Sequence, residues 1–153
     1  VIEIEFTVMT HAHRAEEVLA MMQALYSEDE PASAPDPKRF PRTIELLLAE
    51  PAKGRIVLFI ENAVVRGYAL LIPYWSNEFG GTLLFVDEIF VVQKSRCQGI
   101  GRRFFQFMAA NKPFDAVALA LEVSPRNTRA RKFYTSMGFE HRKNSMMTLG
   151  ISG

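Results

Sequence analysis

At 153 residues the chain is about one domain's worth, long enough to bury roughly two thirds of the surface its unfolded form exposes; 48% hydrophobic against 23% charged residues argues against a disordered or low-complexity protein. No apolar run approaches the roughly 18 residues a membrane span needs, the lone Cys97 excludes an intrachain disulfide, and one Cys with three His cannot build the common Cys-rich zinc sites. Residues 1–90 hold 14 Asp and Glu against 7 Lys and Arg, and residues 91–153 hold 3 against 11, so a net charge of +1 hides an acidic half suited to a cation and a basic half suited to an anion.

Residues 2–8 alternate Ile2, Ile4, Phe6 and Val8 with polar neighbours, the period of a half-buried strand. Val18, Met21, Met22 and Leu25 follow at helical spacing, with Thr10 placed to cap and Glu16 and Glu17 in the opening turns. The acidic, proline-rich residues 28–37 form a loop, and a short helix starts near Pro41 and stops before Pro51. Residues 55–60 and 64–72 read as a hairpin, residues 75–81 as a polar loop, and residues 83–92 as an apolar strand with Asp87 and Glu88 in its middle. A helix follows Gly99-Ile100-Gly101 and runs to Pro113, and residues 116–123 form a strand. A last helix, 128–137, closes at Gly138, and residues 139–151 have room for one or two short strands. With no repeat or linker, the chain reads as one mixed α/β domain over residues 1–153. No basic n-region opens it, so no secretory signal is expected and a cytoplasmic setting is the default.

Two segments carry chemistry. In the first, a strand enters a loop, Arg96-Cys97-Gln98-Gly99-Ile100-Gly101-Arg102, that passes directly into a helix whose first N–H groups lack intrahelical partners, a site suited to phosphate oxygens. Arg96, Arg102 and Arg103 add positive charge. The loop lacks the Lys-Ser/Thr of a P-loop, and Phe104 stands where a dinucleotide-binding turn has its third Gly. Nor are the basic residues interleaved with aromatics along one helix, as a nucleic-acid platform requires. In the second segment Asn127 and Tyr134 are two helical turns apart, near one face, while Phe133 and Met137 share a core-facing stripe. Tyr134 is either a core tyrosine or a proton donor to a leaving group. His11 and His13 lack a third ligand, so no metal site is expected.

Together these segments resemble the GNAT superfamily of acyl-CoA-dependent N-acetyltransferases. Its pyrophosphate-loop pattern (Arg or Gln, two residues, Gly, one residue, Gly or Ala) stands here as residues 96–101. Its second block stands as Asn127, Phe133-Tyr134 and Gly138-Phe139, and residues 86–91 resemble the central strand of spermidine/spermine-type members. The resemblance implies a mixed sheet of six to seven strands flanked by about four helices, with acetyl-CoA lying where two parallel strands splay apart. The backbone of Ile89, Phe90 and Val91 would pair with the pantetheine arm and offer an oxyanion donor. N–H groups from Cys97, Gln98, Gly99, Ile100, Gly101 and Arg102, in the loop opened by Arg96, would hold the pyrophosphate. Asn127 would bond the pantetheine arm and Tyr134 would protonate the departing thiolate. Asp87 and Glu88 are the candidate bases; neighbours on a regular strand face opposite ways, and a bulge of the kind frequent in the family would alter that.

Glu28, Asp29, Asp87 and Trp75 are the candidate acceptor-binding residues. Cys97, where the family commonly has Gly, reads as a loop residue rather than a nucleophile. The implied function is acetyl transfer from acetyl-CoA to a primary amine, such as a cationic small molecule, by direct attack in a ternary complex. A protein or peptide N-acetyltransferase and a non-catalytic acyl-CoA sensor are the alternatives. Homodimers are common in the family; neither nucleic acid nor membrane is an expected partner.

Overall fold

The computed structural model describes residues 2–28 and 35–151; the expected acceptor residue Asp29 lies outside them. The chain divides into two compact units, Val1–Glu122 and Val123–Gly153.

In the first unit five strands form one sheet in chain order: β1 (Glu5–Val8), β2 (Arg55–Glu61), β3 (Val64–Ser76), β4 (Gly81–Val91) and β5 (Ala118–Leu121). The first four pair antiparallel, and β4 pairs with β5 in parallel, as the intervening helix crossover requires. That helix is α3 (Ile100–Asn111), whereas α1 (Ala15–Glu28) and α2 (Phe40–Ala49) lie between β1 and β2 in the chain. Proline in the first turn of α2 agrees with the expected start. The entry to α1 differs, because a 3-10 turn, Ala12–Arg14, precedes it with His11, not Thr10, at the N-cap, and the His11 side chain makes no capping bond. Strand β3 also runs further than its pattern suggests, through Pro73 to Ser76, so that Trp75 is a strand residue opposite Thr82. Proline is tolerated there because the β2 ladder has already ended, at Arg55 opposite Leu71.

The two sheet faces bury different sets. Val18, Met21 and Met22 of α1 and Phe40, Ile44 and Leu47 of α2 pack with Ile56, Leu58, Tyr68, Leu70 and Phe90, the stripes that helical and strand periods prescribe. Intervening strand residues turn to a second, aromatic cluster: the rings of Phe59 and Phe104 lie 4.9 Å apart, with Phe6 at 5.2 and 5.7 Å from them.

Strands β3 and β4 approach closely at Gly67, opposite Val91. A Cβ there would stand 2.3 Å from the Phe90 carbonyl oxygen and 2.8 Å from Phe59 Cδ2. Gly67→Ala is therefore expected to lower unfolding free energy by about 1–3 kcal/mol, measured by denaturant unfolding. An unchanged midpoint would mean that β4 can move aside.

In the second unit α4 (Thr128–Ser136) ends at Gly138, whose φ of 96° is the left-handed stop expected. Residues 139–151 form no strand, so the sheet has five strands among the described residues rather than six to seven. The polar run 140–145 supplies no apolar face, and Met147, Leu149 and Ile151, although at alternate positions, are 92%, 87% and 93% exposed, without the burial that fixes a strand's register.

Candidate active site

The middle of β4 is irregular. Leu70 stands opposite Glu88 and Leu71 opposite Val86, which leaves Asp87 as an extra residue. Such a bulge reverses the alternation of sides. Glu88, like Phe90, thus shares the face of Tyr68 and Leu70 toward α1 and α2, while Val86 shares that of Leu71.

The parallel pairing of β4 with β5 ends at the same place, with Val86 opposite Leu121. Asp87 is the next residue on β4, and Glu122 directly follows the end of β5. Asp87 is open to solvent, yet its carboxyl is raised above the usual range, first by partial burial and then by the Glu122 charge. Glu88 is different, at 8% exposed. The Tyr26 hydroxyl donates to its Oε2 at 2.6 Å and the Tyr68 hydroxyl to its Oε1 at 2.7 Å, distances typical of charge-assisted bonds. Burial raises the Glu88 carboxyl, the two tyrosines lower it, and Asp87 raises it. Burial and the Glu88 charge push the Tyr68 hydroxyl far above its ordinary value, so it remains a donor.

Beyond the bulge, β4 offers its backbone on one side. The Phe90 carbonyl is turned to β3 at Gly67, and Val92 N–H donates to Arg66 O on that same side. Alternation then turns the peptide groups of Ile89 and Val91 to the side where β5 no longer pairs. Of the three residues expected to meet a pantetheine arm, Ile89 and Val91 turn their peptide groups to that unpaired side, whereas Phe90 serves the β3 ladder.

The following loop contains a 3-10 turn, Gln93–Ser95, then Cys97 at φ 62° and Gly99 at φ 77° before α3 begins. Cys97 thus holds a left-handed conformation that glycine adopts more easily. The first intrahelical bond here is Arg103 N–H to Gly99 O, at 3.1 Å, so the N–H groups of Ile100 and Gly101 have no acceptor within the helix. Gly99 faces open space. This backbone suits an anion with several oxygens.

The arginines divide. Arg96 donates from Nε to Val91 O at 2.7 Å and from one terminal nitrogen to both oxygens of Glu28, at 3.0 and 2.7 Å. Arg103 donates to the carbonyls of Ile2 and Ile4. Both guanidinium groups act as braces through these bonds while keeping the positive charge expected of them, and Glu28 meets Arg96. Trp75 is 72% exposed.

In the second unit Asn127 Oδ1 accepts from Ala130 N–H at 3.1 Å and caps α4, which turns Nδ2 away from the helix. The Tyr134 ring lies 5.3 Å from Phe133 and 5.7 Å from Phe139. Burial raises its hydroxyl above the ordinary tyrosine value, so it stays protonated.

Sequence reasoning did not find Tyr26, Tyr68 or Glu122. Tyr26 reaches Glu88 across 62 residues, and only the bulge, invisible in the residue pattern, turns Glu88 toward it. Among the described residues no three His, Cys, Asp or Glu side chains gather as a metal site, and no helix is long and apolar enough to cross a membrane.

The model of the acetyltransferase (GNAT) family matches residues 19–139, taking in the bulged strand, the glycine loop and the Tyr134 helix. The chain belongs to the GNAT acetyltransferase family. As a GNAT protein it is an acyl-CoA-dependent N-acetyltransferase. Solved structures agree in fold. A possible acetyltransferase from Clostridium difficile 630 has a TM-score of 0.84 at 18% identity, over 98% of this chain and 99% of that one. The aminoglycoside N-acetyltransferase AAC(6')-Iy in complex with CoA has a TM-score of 0.76 at 17% identity, over 98% and 96%. A ribosomal-protein-alanine N-acetyltransferase from Brucella melitensis biovar Abortus 2308 has a TM-score of 0.71 at 17% identity, over 97% and 100%. No curated protein sequence matches significantly.

Proposed function

We propose that this GNAT protein transfers the acetyl group of acetyl-CoA to a cationic primary amine by direct attack, and that the two units work as one acetyltransferase domain. The observation that supports this most is the β4 bulge, which sets two carboxyl groups of different exposure beside the end of the β4–β5 ladder. Acetyl-CoA supplies a thioester carbonyl. The N–H groups of Ile100 and Gly101, with the rest of residues 97–102, hold its pyrophosphate, Ile89 and Val91 meet its pantetheine arm, and Asn127 Nδ2 bonds that arm. Asp87 holds the incoming ammonium, and Glu88, with its raised proton affinity, takes the proton. The amine nitrogen then bonds to the carbonyl carbon as the carbon–sulfur bond breaks, Tyr134 protonates the sulfur, and the second proton that the nitrogen loses replaces the one Tyr134 gave. Glu28 acts through Arg96, as a brace between α1 and the loop, rather than on the acceptor directly. A cationic acceptor fits the acidic half of the chain better than a neutral one.

Calorimetric titration with acetyl-CoA tests the cofactor part. Saturable binding is expected, and dephospho-CoA should bind more weakly. No binding at low salt would reject the assignment of the loop and of the β4 edge.

A further inference from the structure

Glu88 is placed to take a proton but not to touch an amine. Its side chain is buried, and each carboxylate oxygen already accepts one tyrosine hydroxyl. Among the described residues, the titratable groups that face it are Tyr26 from α1, Tyr68 from β3 and its neighbour Asp87; from α2 it is Phe40, uncharged, that stacks on the Tyr26 ring at 5.4 Å. Tyr68 is 0% exposed, whereas Tyr26 is only partly buried and sits in the last turn of α1. Of the two tyrosines bonded to Glu88, one is therefore sealed in the core and the other is partly exposed.

We infer that Tyr26 is a catalytic proton relay, carrying the acceptor's proton to Glu88, with Tyr68 as a positioning residue that fixes the carboxylate. The acceptor ammonium gives one proton to Tyr26 Oη as the phenolic proton of Tyr26 passes to Glu88 Oε2. The nitrogen–hydrogen bond breaks, the nitrogen keeps its electron pair for attack, Tyr26 ends as it began, and Glu88 becomes the neutral acid. No oxidation or reduction occurs. This rests on the reading of Glu88 as proton acceptor and adds the route by which it is reached.

The relay is needed only by acceptors that arrive charged. A simple alkylamine, protonated near neutral pH with a reference value close to that of lysine, must lose a proton; 2,2,2-trifluoroethylamine is already neutral. Tyr26→Phe is expected to slow acetylation of the alkylamine by about 10²-fold while changing the rate with trifluoroethylamine by less than about twofold. Equal losses on both amines, or no loss on either, would overturn the relay. A second measurement needs no turnover. In ¹³C-labelled protein the Glu88 carboxyl should titrate at higher pH in Tyr26→Phe than in wild type, because a donor to the charged form is lost; an unchanged midpoint would show that the hydroxyl does not serve the carboxylate, and would overturn the relay. A wild type that binds acetyl-CoA, acetylates neither amine and still shows the displaced midpoint would instead reject the primary-amine reading and leave the Tyr26–Glu88 unit standing.

Discussion

Glu88→Gln is expected to lower kcat/KM for a charged amine by about 10²- to 10⁴-fold and to remove the acidic limb of the pH profile. In wild type that limb should lie above the ordinary carboxylate range, because burial and Asp87 together outweigh the two tyrosine donors; activity rises as pH rises through the raised value, where Glu88 becomes ionised. Stability runs the other way. The folded chain holds the Glu88 proton more tightly than the unfolded chain, in which the group titrates near about 4.3. Stability therefore falls as pH climbs from that region to the raised folded value, and is level above it. Glu88→Gln should abolish that fall in a urea-unfolding series. A variant with normal activity and an unchanged limb would place the base elsewhere, with Asp87, tested in parallel as Asp87→Asn, the first alternative.

Tyr134→Phe should reduce kcat by about 10²-fold with little change in acetyl-CoA affinity. The raised value of its hydroxyl, caused by burial, means that the wild-type rate should hold into the alkaline range rather than fall as an ordinary tyrosine ionises. The measurement is steady-state kinetics across pH beside calorimetric binding. Full turnover in the variant would return Tyr134 to a packing role between Phe133 and Phe139. Equal losses in turnover and affinity would make it a binding residue.

Much of this was readable from the residues because local periods decide it. The stripe of Val18, Met21 and Met22, the glycine stop at Gly138 and the loop from Arg96 to Gly101 each carry their own signal within a few residues. Asp87 and Glu88 were recognisable as a pair for the same reason, since two acids inside an apolar strand need a special setting. Which of the two is buried was not readable, because it depends on one unpaired residue in β4 and on two tyrosines from other elements. The tie between Arg96 and Glu28 was hidden likewise, for a loop and a helix end 68 residues apart share no sequence signal. Residues 139–151 have the length for one or two short strands, but length alone does not make a strand where no face is covered.

The bulge at Asp87 also makes β4 sensitive to length in a position-dependent way. Leu70 and Leu71 already stand opposite Glu88 and Val86, so removing Asp87 itself would close β4 into a regular ladder in which every other residue keeps its partner and its face. Removing or adding one residue elsewhere in the strand is different, because the residues on one side of the change would exchange faces, Leu84 or Phe90 among them. The fold should therefore survive loss of Asp87, at the expense of the carboxylate proposed to hold the acceptor, while single-residue changes of length at other positions of β4 should be rejected and accumulate instead in the surrounding loops.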